Sequence, residues 1–133
     1  MIVVDASVLA DALIDDGPQS ESARAELAKD SQWAAPAHLL VEVVSVIRGK
    51  VFGSKSGLIR ATEAVTGSSQ LVVIQVSAGQ LVERMWELRD NLSAYDAAYV
   101  AAAEMPGCPL ITSDARLAKA NGVRCAARLV PRS

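Results

Sequence analysis

Apolar positions recur along the chain in two rhythms. Ile2-Val3-Val4 is a short unbroken apolar run and predicts a buried strand ending at Asp5. Ala6 to Ile14 has helical spacing, Gly17-Pro18 interrupts it, and Ser20 or Glu21 to Lys29 forms a polar helix. Trp33-Ala34-Ala35 predicts a short strand before Pro36. From Ala37 onward, Leu39, Leu40, Val43, Val44, Ile47 and Val51 mark one helical stripe. Gly53 to Gly57 breaks the stripe, and Leu58 to Thr66 supplies the second arm of a helical hairpin. Leu71 to Val76 is short and β-branched, so a buried strand is expected. Ser77 to Asp90 predicts a helix with Leu81, Met85 and Leu88 inward. A helix rich in small residues runs from Ser93 to Glu104, where Pro106-Gly107 ends it. Leu110-Ile111-Thr112 predicts a strand and Asp114 to Ala120 a helix, and Asn121-Gly122 turns into a last strand around Arg124 to Leu129.

Strands alternate with helices throughout, and no tight turn joins two consecutive strands. That pattern predicts an α/β fold with a mostly parallel sheet covered by helices. At 133 residues the chain is expected to form one domain, 1–133. Apolar residues make up 51% but aromatic ones only 4%, so the core must be built from Val, Leu, Ile and Ala. The longest apolar run, Ala97 to Ala103, is far short of the ~20 residues a spanning helix needs. With no basic start before an apolar stretch, a cytoplasmic protein with no membrane association is expected. The net charge of −2 argues against a generic basic nucleic-acid binder, although divalent cations can offset an acidic site. Cys108 and Cys125 form no CxxC pair, which speaks against structural zinc. The one histidine, His38, cannot supply a catalytic histidine pair. Leu129-Val130-Pro131-Arg132-Ser133 resembles a thrombin-cleavage linker and is set apart from the expected fold.

Ligands in open α/β sheets bind at the carboxyl ends of the strands. Asp5 directly follows the first strand, and Asp114 lies two residues after Leu110 to Thr112. Glu42 lies inside an apolar helix, and Asp96 lies in a helix of small residues. Each has an ordinary explanation. Asp5 could cap Ala6 to Ile14, Ser93 to Asp96 fits a capping box, Asp114 suits a helix start, and Glu42 could face solvent. Four such acids together point further. Clustered carboxylates raise one another's pKa, and a hard cation such as Mg²⁺ or Mn²⁺, which prefers oxygen ligands, relieves the repulsion. A water activated by such a metal can then attack a phosphodiester.

Ile2-Val3-Val4-Asp5-Ala6-Ser7, Pro36 with Glu42, Tyr95-Asp96-Ala97-Ala98-Tyr99-Val100-Ala101 and Leu110-Ile111-Thr112-Ser113-Asp114 resemble, in order and spacing, the PIN-domain family. More narrowly, they resemble the VapC toxins of type II toxin–antitoxin systems. The resemblance implies a three-layer α/β/α fold with a protruding helical hairpin. It also implies a Mg²⁺- or Mn²⁺-dependent endoribonuclease held in check by a VapB-like antitoxin, and a homodimer. It assigns catalysis and metal binding to Asp5, Glu42, Asp96 and Asp114, and makes Ser7 and Thr112 candidates for orienting a carboxylate. Where some members carry a further acid beyond the last of the four, Arg116 and Leu117 stand here. Arg48, Lys50, Lys55, Arg60 and Arg116 are candidates for RNA or antitoxin contacts, or for an ordinary solvated face. His38, one helical turn before Glu42, is expected to be structural. The competing readings are an aspartyl-nucleophile phosphatase or phospho-receiver, and a non-catalytic PIN-like RNA-binding module.

Overall fold

A computed structural model describes residues 1–14 and 17–131. In chain order the elements are β1 (Ile2–Val4), α1 (Ala6–Ile14), α2 (Pro18–Leu27), β2 (Trp33–Pro36), α3 (Leu39–Phe52) and α4 (Leu58–Ser68). They continue with β3 (Ile74–Val76), α5 (Ala78–Glu87), α6 (Ala94–Glu104), β4 (Leu110–Thr112), α7 (Ala115–Ala118) and β5 (Ala127–Leu129). The strands form one sheet in the order β3-β2-β1-β4-β5, and every pairing is parallel. The chain steps outward from β1 to β2 and β3, then crosses back to β4 and β5. Because parallel crossovers are right-handed, that reversal puts α1–α4 on one face and α5 and α6 on the other. It also creates a topological switch point between β1 and β4, which is where such sheets open a crevice.

The core follows from composition. β1 and β4 are buried along their whole length, and α6 lies across β1, β2 and β4. Ala97, Ala98, Ala101, Ala102 and Ala103 of α6 are all buried, because only small side chains let a helix surrounded on all sides come this close to a sheet. The α3–α4 hairpin packs against α1 and leaves Val41, Val44, Phe52, Leu58 and Ile59 exposed on its outer side.

Several expectations need correction. The segment from Leu71 is a strand only from Ile74, and it is not buried: Val72 is 92% exposed and Ile74 51%. β3 is an edge strand, so only one of its sides is covered. Helix α5 stops at Glu87, with Leu81 and Leu88 buried but Met85 only half-buried. α2 begins earlier than expected, because Pro18 suits the first helical position. β5 is limited to Ala127–Leu129. Leu129 and Val130 are part of the fold: Leu129 pairs with Thr112, and Val130 is buried with its N–H donating to the Thr112 carbonyl at 2.8 Å. Arg132 and Ser133, the rest of the linker-like run, lie outside the described residues.

Candidate active site

The switch point places Asp5 at the end of β1 beside Asp114, which follows β4. Both acids cap helices. The Ser7 amide donates to Asp5 Oδ1 at 3.1 Å, and the amides of Arg116 and Leu117 donate to Asp114 Oδ1 at 2.9 and 3.3 Å. Capping and clustering are therefore one geometry here, because a helix that starts at a strand's carboxyl end aims its capping acid into the crevice.

Thr112 ties the two acids together. Fully buried, its hydroxyl donates to Asp5 Oδ2 at 2.7 Å and accepts from the Asp114 amide at 3.1 Å. Ser7, the other candidate for orienting a carboxylate, reaches Asp5 through its amide rather than its hydroxyl. Asp96 comes from the first turn of α6, where the Ser93 hydroxyl accepts its amide at 3.2 Å. Its carboxylate turns toward Arg116, whose Nη2 lies 3.7 Å from Asp96 Oδ2 and 3.3 Å from Asp114 Oδ2. This guanidinium supplies positive charge between two acids that would otherwise repel.

Glu42 completes the group from α3. It does not face open solvent, since its side chain is 28% exposed, and His38 Nε2 approaches Glu42 Oε1 at 2.9 Å without an aligned hydrogen bond. The buried Tyr99 hydroxyl also faces Glu42 without alignment. Burial, and then the charges of Asp5 and Asp96, push the Glu42 carboxyl up to about 7. Asp5 is raised in the same direction, mainly by burial, with Asp96 and Asp114 adding to it and the Thr112 and Ser7 hydrogen bonds opposing. The four acids thus sense one another in a chain from Glu42 through Asp5 and Asp96 to Asp114. Among the described residues, no three Asp, Glu, His or Cys side chains close into a ready-made metal cage. The donor set nevertheless fits a hard divalent cation: it is all carboxylate oxygen, and its raised carboxyls are those a nearby cation would ionise.

Sequence reasoning missed the ring cluster behind Glu42. His38 stands edge-on to Tyr95, with centroids 5.7 Å apart, and to Tyr99, at 5.3 Å. The one visible signal was the i, i+4 spacing of His38 and Glu42. The basic residues do not form one patch. Lys50 Nζ lies 3.3 Å from Asp11, which is buried, and Arg60 Nε donates to the Ile14 carbonyl at 3.1 Å. Arg48 covers the Phe52 ring at 4.4 Å, and Lys55 is exposed. Two of the four hairpin cations thus serve the frame, because the hairpin packs on α1 and its cations meet that helix first.

The PIN domain family model matches residues 2–123. A VapC ribonuclease of Mycobacterium bovis is 37% identical over 132 residues, which is 99% of this chain and 100% of that protein. Among solved structures, Mycobacterium tuberculosis VapC20, described as a Sarcin-Ricin loop cleaving toxin, aligns with a TM-score of 0.64 at 20% identity. That match covers 83% of this chain and 87% of the other. VapBC2 from Rickettsia felis, solved bound to a DNA fragment from their promoter, aligns at 0.62 and 17% identity over 96% and 99% of the two chains. These two likenesses show a shared fold.

Proposed function

The chain belongs to the PIN-domain family, among relatives of the VapC ribonucleases, and from that premise we propose that it is the toxin of a toxin–antitoxin pair, a divalent-metal-dependent endoribonuclease. The observation that carries the site assignment is the convergence of Asp5, Glu42, Asp96 and Asp114 at the β1–β4 switch point, with Asp5 and Glu42 both raised by burial and by their neighbours. Mg²⁺ or Mn²⁺ is the ion this all-oxygen set suits, held by those four carboxylates. Bound there, the ion supplies Lewis-acid chemistry, offsetting phosphate charge and making water a competent nucleophile near neutral pH.

The chain's own groups do the positioning. Thr112 and the Ser7 amide keep Asp5 aimed into the crevice from two sides. Arg116, with a side chain 80% exposed beside Asp96 and Asp114, is the cation that meets a substrate phosphate at the acids. Arg48 and Lys55 remain as outer contacts for RNA or antitoxin. The antitoxin restrains activity by covering the acidic crevice, and the active chain is a homodimer.

RNA cleavage assayed with Mg²⁺ or Mn²⁺, with excess chelator, and with Asp96→Asn tests this reading. Chelation and the substitution are both expected to reduce cleavage to background while the fold persists. The cut ends should carry 5′-phosphate and 3′-hydroxyl groups, since His38 has no histidine partner to activate a 2′-hydroxyl. Full activity in saturating chelator, or a 2′,3′-cyclic phosphate product, overturns it.

A further inference from the structure

We propose that Tyr95 is a base-stacking residue, its exposed ring receiving an unpaired base of the RNA beside the bond being cut. The proposal rests on the ribonuclease reading above and adds to it what grips the substrate.

Tyr95 immediately precedes Asp96 in the first turn of α6. Its ring stands edge-on to His38, with an interplanar angle of 76°, and His38 in turn touches Glu42. The ring therefore lies on the rim between two of the four acids. It is also open to solvent: Tyr95 is 65% exposed, whereas Tyr99, on the other flank of the same histidine, is 1% exposed. One edge contact holds an aromatic ring in place without covering both its faces.

Charge shows why such a platform is needed. The substrate's phosphates must approach a group of acids on a chain of net charge −2. Lys50 and Arg60 are already engaged with α1 and the Ile14 carbonyl, which leaves Arg116, Arg48 and Lys55 to meet phosphates. With so few cations to set against the acids, a term that does not depend on charge adds to the affinity. Stacking on an aromatic ring is that term, and it tolerates any base, because every base has a π-face. It requires an unpaired base, so single strands are favoured over duplex. Trp86 is comparably exposed at 68%, but it lies on α5 with Arg89 already over its ring at 4.6 Å. It serves as the control.

The probe is a fluorescein-labelled pool of random-sequence 12-nucleotide RNA, titrated by anisotropy in Ca²⁺ with gels confirming that it stays uncut. Tyr95→Ala and Tyr95→Leu are each expected to weaken binding about 5- to 100-fold, the range of one lost base stack, with Tyr95→Phe within about twofold of the parent. Trp86→Ala should bind like the parent, and 5-iodouridine in the pool should crosslink to Tyr95. The proposal is overturned if Tyr95→Ala binds as the parent does, if Tyr95→Phe is as weak as Tyr95→Ala, or if duplex RNA binds as tightly as single strands. Tyr95→Leu keeps apolar bulk against His38, so a loss shared by both variants is not a folding defect. A parent protein that neither binds nor cleaves RNA would instead remove the ribonuclease reading itself.

Discussion

Asp5 has both carboxyl oxygens in hydrogen bonds, yet burial and two neighbouring acids still make it hold its proton more tightly than an ordinary aspartate. Glu42 is shifted the same way, from 4.5 to about 7. A carboxyl raised in the folded state binds more protons than it does in the unfolded chain between those two values. Stability contributed by Glu42 is therefore present below about pH 4.5, is lost as pH rises toward 7, and stays lost above it. Glu42→Gln removes the charge and keeps the shape. In chelator it is expected to raise stability at pH 8 by about 1 kcal/mol, discounted for partial exposure, with almost no change at pH 4.5. Urea unfolding at the two pH values measures this, and equal effects at both would show that the raised carboxyl does not strain the fold.

The α3–α4 hairpin shows how an element's cations can be drawn to partners within the fold. Lys50 and Arg60 reach back to α1 and its end, so the basic run between Glu42 and Glu63 is in part a clamp. Asp11 is 3% exposed, and Lys50 is one of the groups that satisfy it. Lys50→Met is expected to cost about 1.5–3 kcal/mol, the range for a hydrogen bond to a charged group. Chemical denaturation reads the loss, while RNA cleavage well below the melting temperature should change little. A large fall in cleavage without a fall in stability would return Lys50 to the substrate-binding set. A second clamp joins α5, the end of α6 and the segment before β5: Arg84 grips the Glu104 carboxylate at 2.6 and 3.2 Å and the Gly122 carbonyl at 2.6 Å, while Glu104 also accepts the Arg124 amide at 2.7 Å. Gly122 adopts φ 87°, a conformation that suits glycine, so the Asn121-Gly122 turn seen in the sequence is the point at which α7 feeds β5.

On the scale of the whole molecule, apolar side chains remain on the outside: Phe52, Leu58 and Ile59 on the hairpin, Val72 and Ile74 at the β3 edge, and Trp86 on α5. Surface of this kind is commonly covered by partners. Light scattering on the isolated chain is expected to give twice its mass of 14.0 kDa, and a monomer at micromolar concentration would refute the homodimer. No described helix is long and apolar enough to cross a membrane.

Local rules made much of this legible from residues alone. Unbroken apolar runs marked β1 and β4, helical stripes marked α3 and α5, and Ser93 marked a helix start, because propensity and capping act over a few residues. The four acids stood out for the same reason, each at a strand end or in an unusual helical setting. Strand order was not legible, since pairing joins positions far apart in the chain, and it decided the rest. It set β1 against β4, so that Asp5 and Asp114 share Thr112 across 107 residues. It sent Leu71 to Val76 to an exposed edge instead of the interior. It carried Leu129 and Val130 into the sheet although their sequence resembles a linker. The packing of the α3–α4 hairpin on α1 gave Lys50 and Arg60 partners within the fold, and the approach of α3 to α6 built the His38–Tyr95–Tyr99 cluster, because a side chain's partners depend on which elements meet and not on its neighbours in sequence.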